Sequence, residues 1–148
     1  MSIRRAAAVA VIYGDLILLG KRCTHYEGRE VDFGGYWSVF GGSVEKGEGP
    51  IACASRELFE ETKIKAPFHL LNFITSFSIG NLEFSVYSYE IKELVIPVLD
   101  FEHTEYGWFK LDFLRNFIEK IDPKIVECIE IYRRKQYDPT EYFRKSTR

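Results

Sequence analysis

The stretch from Gly42 to Ile64, GSVEKGEGPIACASRELFEETKI, constrains this chain more than any other. Its charges stand in a fixed order: Glu48, then Arg56-Glu57, then Glu60-Glu61. At about 100° per residue, Glu57, Glu60 and Glu61 fall on one side of a helix. Ile51, Ala54, Leu58 and Thr62 fall on the other side, which can bury. Carboxylates three and four residues apart repel by a few tenths of a kcal/mol. A sequence that accepts this repulsion usually gains a cation. Clustered carboxylate oxygens suit hard ions such as Mg²⁺, which keep several waters and bridge to substrate phosphates.

The same stretch resembles the signature of the Nudix hydrolases, G-x5-E-x7-R-E-U-x-E-E-x-G-U, where U is apolar. Gly42, Glu48, Arg56, Glu57, Leu58, Glu60, Glu61 and Ile64 match it. Lys63 departs from it, standing where the pattern has the glycine that ends the helix. That departure concerns capping, and a lysine at a helix C-terminus is electrostatically favourable. The segment from Gly35 to Gly42 is similar to a second family feature, G-x-W-x-x-P-G-G, with Phe40 in place of proline.

The resemblance implies an α/β/α sandwich with a mixed sheet, and hydrolysis of a nucleoside diphosphate linked to another moiety. The substrate could be a nucleoside triphosphate, a nucleoside diphosphate sugar or a related compound. It implies Mg²⁺, with Mn²⁺ as an alternative, held by Glu57, Glu60 and Glu61, with Glu48 reaching in directly or through water and Gly42 counted in the same set. Arg56 is expected to hold a glutamate by a charged hydrogen bond; direct phosphate contact is its alternative role. The general base is expected in the signature or on a distant loop. Glu102 and Glu105, shortly before Trp108, are the loop candidates, Glu102 being preferred, and Glu83 follows. Arg22 is a candidate phosphate contact. Trp37, Phe40, Gly41 and Gly42 are candidate substrate contacts, and any of Tyr26, Phe33, Tyr36, Trp37 and Phe40 could stack on a base. His103 is read as incidental. Family markers for ADP-ribose or dinucleoside polyphosphates are missing: Ile79, Gly80 and Asn81 occupy those positions.

The 148 residues suit one domain, expected over 1–148. Hydrophobic residues make up 46% and charged residues 28%, which excludes a disordered chain. A net charge of −2 gives no case for duplex DNA. The end is nevertheless basic, with six cations from Arg133 onward opposed only by Asp138 and Glu141, and a solvated tail is expected over about 136–148. Cys23, Cys53 and Cys128 are an odd number without motif spacing, so a reducing, cytoplasmic location is expected. No apolar run is long enough to span a membrane. Homodimerisation is left open.

Read in order, Arg4–Tyr13 and Leu16–Arg22 are expected strands joined at Gly14-Asp15. Residues 23–35 read as a loop near the substrate, and 36–40 as a short strand. Pro50 opens the acidic helix, which runs to about Lys63. Residues 68–79 and 82–91 read as a hairpin turning at Gly80-Asn81, and 95–99 as at best an edge strand. Residues 101–107 read as an acidic loop leading to Trp108-Phe109. Leu111, Leu114, Phe117, Ile118 and Ile121 have helical spacing. Asp122-Pro123 starts a last helix reaching about Lys135. Two other readings compete with hydrolysis. A nucleotide-binding Nudix module without catalysis typically loses signature glutamates, which this chain keeps. An isopentenyl diphosphate isomerase needs its cysteine and glutamates in other contexts.

Overall fold

Ala-, Val- and Ile-rich strand β1 (Arg4–Tyr13) runs through the middle of the sheet and is buried on both faces. The computed structural model describes residues 2–117 and 119–136. The expected basic tail, apart from Gln136, and Ile118 lie outside the described residues. After the turn at Gly14, where φ is +59°, strand β2 (Leu16–Arg22) returns antiparallel to β1. The pair touches only at the end of β1, through Ile12↔Ile17 and Tyr13↔Leu16. The first half of β1 pairs instead with a later segment.

Residues 23–35, expected as loop, contain a small hairpin, β3 (His25–Tyr26) and β4 (Arg29–Glu30). Next come β5 (Trp37–Ser38), on β2, and β6 (Phe40–Ser43), which pairs with Ala6–Val9 of β1. Helix α1 (Pro50–Thr62) follows, then a 3-10 turn at Phe68–Leu70. Strands β7 (Asn72–Ile79) and β8 (Leu82–Glu90) form the expected hairpin. β8 lies parallel to β1 over nine register pairs, so the sheet is mixed. Residues 95–99 form no strand.

The acidic segment expected as a loop is largely strand: β9 (His103–Lys110) pairs antiparallel with β2. β2 has an open edge, and pairing satisfies backbone groups that a loop would leave to water. The helical spacing after Lys110 yields only a 3-10 segment, Leu111–Asn116, before the chain turns into α2 (Pro123–Gln136). The Asp122 carboxylate accepts from the backbone N–H of Lys124 at 3.0 Å, as a helix cap should.

Period-2 alternation along β1 feeds two cores. Ala7, Val9 and Val11 pack with Leu18, Phe40, Cys53, Ala54 and Leu58 under α1. Ala8, Ala10 and Ile12 pack with Leu19, Val86, Ile125 and Ile129 under α2. The result is a sheet between helices, as expected.

Candidate active site

Helix α1 carries the acidic signature, and its N-terminal approach is built by glycines. A Cβ on Gly42 would sit 2.5 Å from the Glu57 carboxyl carbon, so only glycine leaves room for that carboxylate. A Cβ on Gly41 would meet the Ala7 carbonyl at 2.3 Å, so this glycine lets β6 lie close on β1.

Arg56 gathers the exposed flank. Its Nε donates to Glu48 Oε2 at 2.8 Å and its Nη2 to Glu48 Oε1 at 3.0 Å, a forked pair. Nη1 donates to Glu57 Oε1 at 3.1 Å and to Glu60 Oε1 at 3.2 Å. Nη2 also donates to the Ser43 carbonyl at 3.2 Å, tying the helix to β6. Hydrogen bonds from Arg56 and the Glu45 backbone hold the Glu48 carboxyl down at about 2.

The other flank is buried. Glu61 is 2% exposed, although its helical position had grouped it with the solvated carboxylates. Its Oε1 is buried and has no hydrogen-bond partner among the described residues. Burial, the adjoining Glu102 carboxyl and the charge of Glu57 push Glu61 up to about 10. Burial raises Glu57 too, with Glu60 and Glu102 acting in the same sense against Arg56. Beyond Glu61 stand His103 and Asp100: His103 Nδ1 is 3.0 Å from Asp100 Oδ1 and 3.9 Å from Glu61 Oε2. Ligand atoms of Glu61, Asp100 and His103 lie within 4.8 Å of one another. A buried carboxylate oxygen without a donor, among further carboxylates, is a donor set of the kind a hard divalent cation takes. The residues present therefore fit the cation that the sequence implies.

A cleft of about 370 Å³ opens beside this flank. Phe33, Tyr36, Ile79, Leu82 and Phe84 line it, and Arg22, Gly41, Gly42, Glu61 and His103 also border it. Arg22 Nε is buried without a partner among the described residues. Of the expected substrate contacts, Arg22, Gly41 and Gly42 border the cleft; Trp37 and Phe40 do not. Trp37 is a core residue, edge-on to Phe109 at 5.3 Å, with its indole N–H donating to Glu119. Phe40 is fully buried, its ring 4.8 Å from that of His103. Both are large apolar side chains on inward-facing strand positions, where burial outweighs exposure. The two loop candidates diverge. Glu102 adjoins Glu61, whereas Glu105 points to Lys21 Nζ at 3.4 Å and its side chain is 59% exposed. Glu83 faces Arg5 at 4.0 Å on the surface. Of the aromatics expected as stacking candidates, Phe33 and Tyr36 line the cleft together with Phe84. Sequence reasoning missed Asp100, which lies beside Glu61 only because distant segments meet in the fold. A larger cavity, about 670 Å³, lies near Glu90, Asp112 and Arg133 and shares no residue with this site.

A model of the NUDIX domain matches residues 3–130, and the chain belongs to that family. Over 64 residues it is 33% identical to the RNA pyrophosphohydrolase of Bartonella quintana (strain Toulouse), covering 43% of this chain and 37% of that protein. Over 52 residues it is 40% identical to an octanoyltransferase of Myxococcus xanthus, covering 35% of this chain and 15% of that one. The chain thus spans well under half the length of these curated relatives. The fold is similar to that of the MutT protein from Methanosarcina mazei Go1, with a TM-score of 0.73 at 18% identity over 93% of this chain and 97% of that chain. Among the described residues, no helix is long and apolar enough to cross a membrane.

Proposed function

We propose that this single domain is a divalent-metal-dependent pyrophosphohydrolase that cleaves the diphosphate linkage of a nucleoside diphosphate-X compound. The observation that carries this reading is the buried Glu61 oxygen that has no partner among the described residues, grouped with Glu57 and Glu102 at the border of an apolar cleft. Glu57 and Glu61, with the Gly42 carbonyl, would hold Mg²⁺ or Mn²⁺. Glu48 and Glu60 turn to Arg56 and would support the set. Bound there, the cation supplies charge neutralisation for the diphosphate and acidifies water.

The chain's own residues do the rest. Arg22, with an unused Nε, would contact a phosphate oxygen. Phe33 and Tyr36 would stack on the base, and Ile79, Leu82 and Phe84 would exclude water around it. Glu102 is the base: it accepts a proton as the water oxygen bonds to phosphorus and the P–O–P bridge breaks, giving two phosphate-bearing products. Arg56 acts on the glutamates rather than on substrate, because Glu48, Glu57, Glu60 and the Ser43 carbonyl occupy its donors. The three described cysteines are buried and free, in keeping with a cytoplasmic location.

The test is release of phosphate or pyrophosphate from a panel of nucleoside triphosphates, nucleoside diphosphate sugars and dinucleoside polyphosphates, with Mg²⁺, with Mn²⁺ and with EDTA. Turnover that EDTA abolishes supports the reading. Full turnover in metal-free buffer removes the metal assignment. Saturable nucleotide binding without turnover of any panel member makes the domain a binding module.

A further inference from the structure

His103 owes its place to an irregularity in the sheet. β9 and β2 stay in register from Leu16↔Lys110 to Lys21↔Glu105, then slip so that Arg22 faces His103 and Thr104 is the extra residue. Before the slip, Phe109 faces the α2 core and Trp108 the α1 core. Unbroken alternation would put His103 on the same side as Phe109. The bulge reverses it, and the imidazole enters the α1 side against Phe40 and Glu61. Gly20 makes the space: a Cβ there would sit 2.7 Å from the Phe40 ring and 3.0 Å from His103 Cδ2.

A ring that is 3% exposed needs a polar partner, and Asp100 provides it. One oxygen, Asp100 Oδ1, accepts from His103 Nδ1 at 3.0 Å and from the backbone N–H of Glu102 at 3.2 Å. The Asp100 N–H donates to the Glu61 carbonyl at 3.3 Å. Asp100 is thus bonded to the helix residue that would bind the cation and to the residue, in the turn before β9, that would take the proton. Glu102 contributes its backbone N–H to this clasp, and its carboxyl adjoins that of Glu61.

We propose that Asp100 and His103 are positioning residues, which fix the Glu102 carboxyl relative to Glu61. The proposal rests on the reading of Glu102 as base and adds two residues to it. Its signature is coupling: removing the clasp matters only while Glu102 has a carboxylate to be positioned.

The test measures kcat and KM for Asp100→Ala and Asp100→Asn, each alone and combined with Glu102→Gln, on the panel member turned over fastest. Asp100→Ala is expected to lower kcat about 10- to 100-fold, the usual range for a residue supporting a ligand, with little change in KM. Asp100→Asn keeps an oxygen that accepts from both donors and is expected to restore most of that loss. In the Glu102→Gln background, Asp100→Ala is expected to cost almost nothing more. Losses that multiply, or equal losses for Ala and Asn at matched melting temperature, overturn the proposal. If Asp100→Ala fails to fold, His103→Phe keeps the ring against Phe40, removes Nδ1 and enters the same cycle with the same outcomes. If no panel member is turned over, the proposed function fails separately, and Mn²⁺ titration of the metal-free protein decides. Affinity about tenfold weaker in Asp100→Ala and recovered in Asp100→Asn supports positioning; unchanged affinity overturns it.

Discussion

Two flanks of one helix carry the same residue type in opposite electrostatic circumstances. On the outer flank, Glu48, Glu57 and Glu60 share Arg56, which makes the cluster nearly self-sufficient. On the inner flank, Glu61 is buried beside Glu102, and no cation among the described residues answers them. An isolated carboxylate removed from water is costly, so the inner flank holds either a proton or an external cation. The difference teaches that a row of glutamates is no uniform ligand set. The arginine completes one side and leaves the other, with Glu57 at the boundary, for the cation that the proposed function requires.

The sharpest way to break that contrast is to neutralise one glutamate on each flank. Glu61→Gln is expected to lower kcat at least a hundredfold, roughly 3 kcal/mol of barrier. Glu60→Gln, half-exposed and bound only to Arg56, is expected to cost far less. Equal losses in steady-state kinetics would erase the distinction.

The same pair of flanks predicts opposite pH dependences of folding in metal-free protein. Glu61 titrates higher when folded, near 10 against an ordinary 4.5, so its contribution is full below 4.5 and is lost as pH rises toward 10. Glu48 titrates lower, near 2, so its contribution is present above 4.5 and is lost as pH falls toward 2. Thermal melting across pH is expected to show the alkaline decline flattened in Glu61→Gln and the acid decline flattened in Glu48→Gln. Because Glu61 and Glu57 must be ionised to bind a cation, activity is expected to rise above neutrality. A flat pH–rate profile from 6 to 9 would contradict this.

Around β9 the contrast is between Glu102, in the turn before the strand and beside Glu61, and Glu105, on the strand and paired with Lys21 at the surface. Glu102→Gln is expected to reduce kcat on the order of a hundredfold with nearly unchanged Mg²⁺ activation, and Glu105→Gln to be close to wild type. If both remain active, the base lies within the helix, at Glu57 or Glu60. A milder change tests the outer flank: Arg56→Lys keeps the charge but loses the fork, and a roughly tenfold weaker Mg²⁺ activation is expected.

The smallest effect is expected at Lys63. It sits at φ 64°, ψ 13°, the left-handed conformation that glycine adopts freely, and its N–H caps the Phe59 carbonyl at 2.8 Å. Its ammonium lies 5.2 Å from the centre of the Phe59 ring, which offsets part of the strain. Lys63→Gly is expected to stabilise by at most about 1 kcal/mol in denaturant melts, with kcat unchanged.

The order and spacing of Gly42, Glu48, Arg56, Glu57, Glu60 and Glu61 are local facts, and they sufficed for the family, the helix and its acidic face. The strands β1, β2, β7 and β8 were legible for the same reason, since hydrophobic runs and turn residues act over a few positions. What the sequence could not apportion is which glutamate is buried. Helical angle groups Glu61 with Glu57 and Glu60, yet it is buried, with Asp100, Glu102 and His103 from a distant segment packed beside it. Likewise Trp37 and Phe40 read as base-stacking candidates until the sheet absorbed them into its two cores. His103 read as incidental because its burial beside Glu61 depends on a one-residue slip against β2, some eighty positions away. Pattern encodes what neighbours in the chain do to one another. Burial, and the charge balance that burial enforces, belongs to residues that meet only when the sheet is assembled.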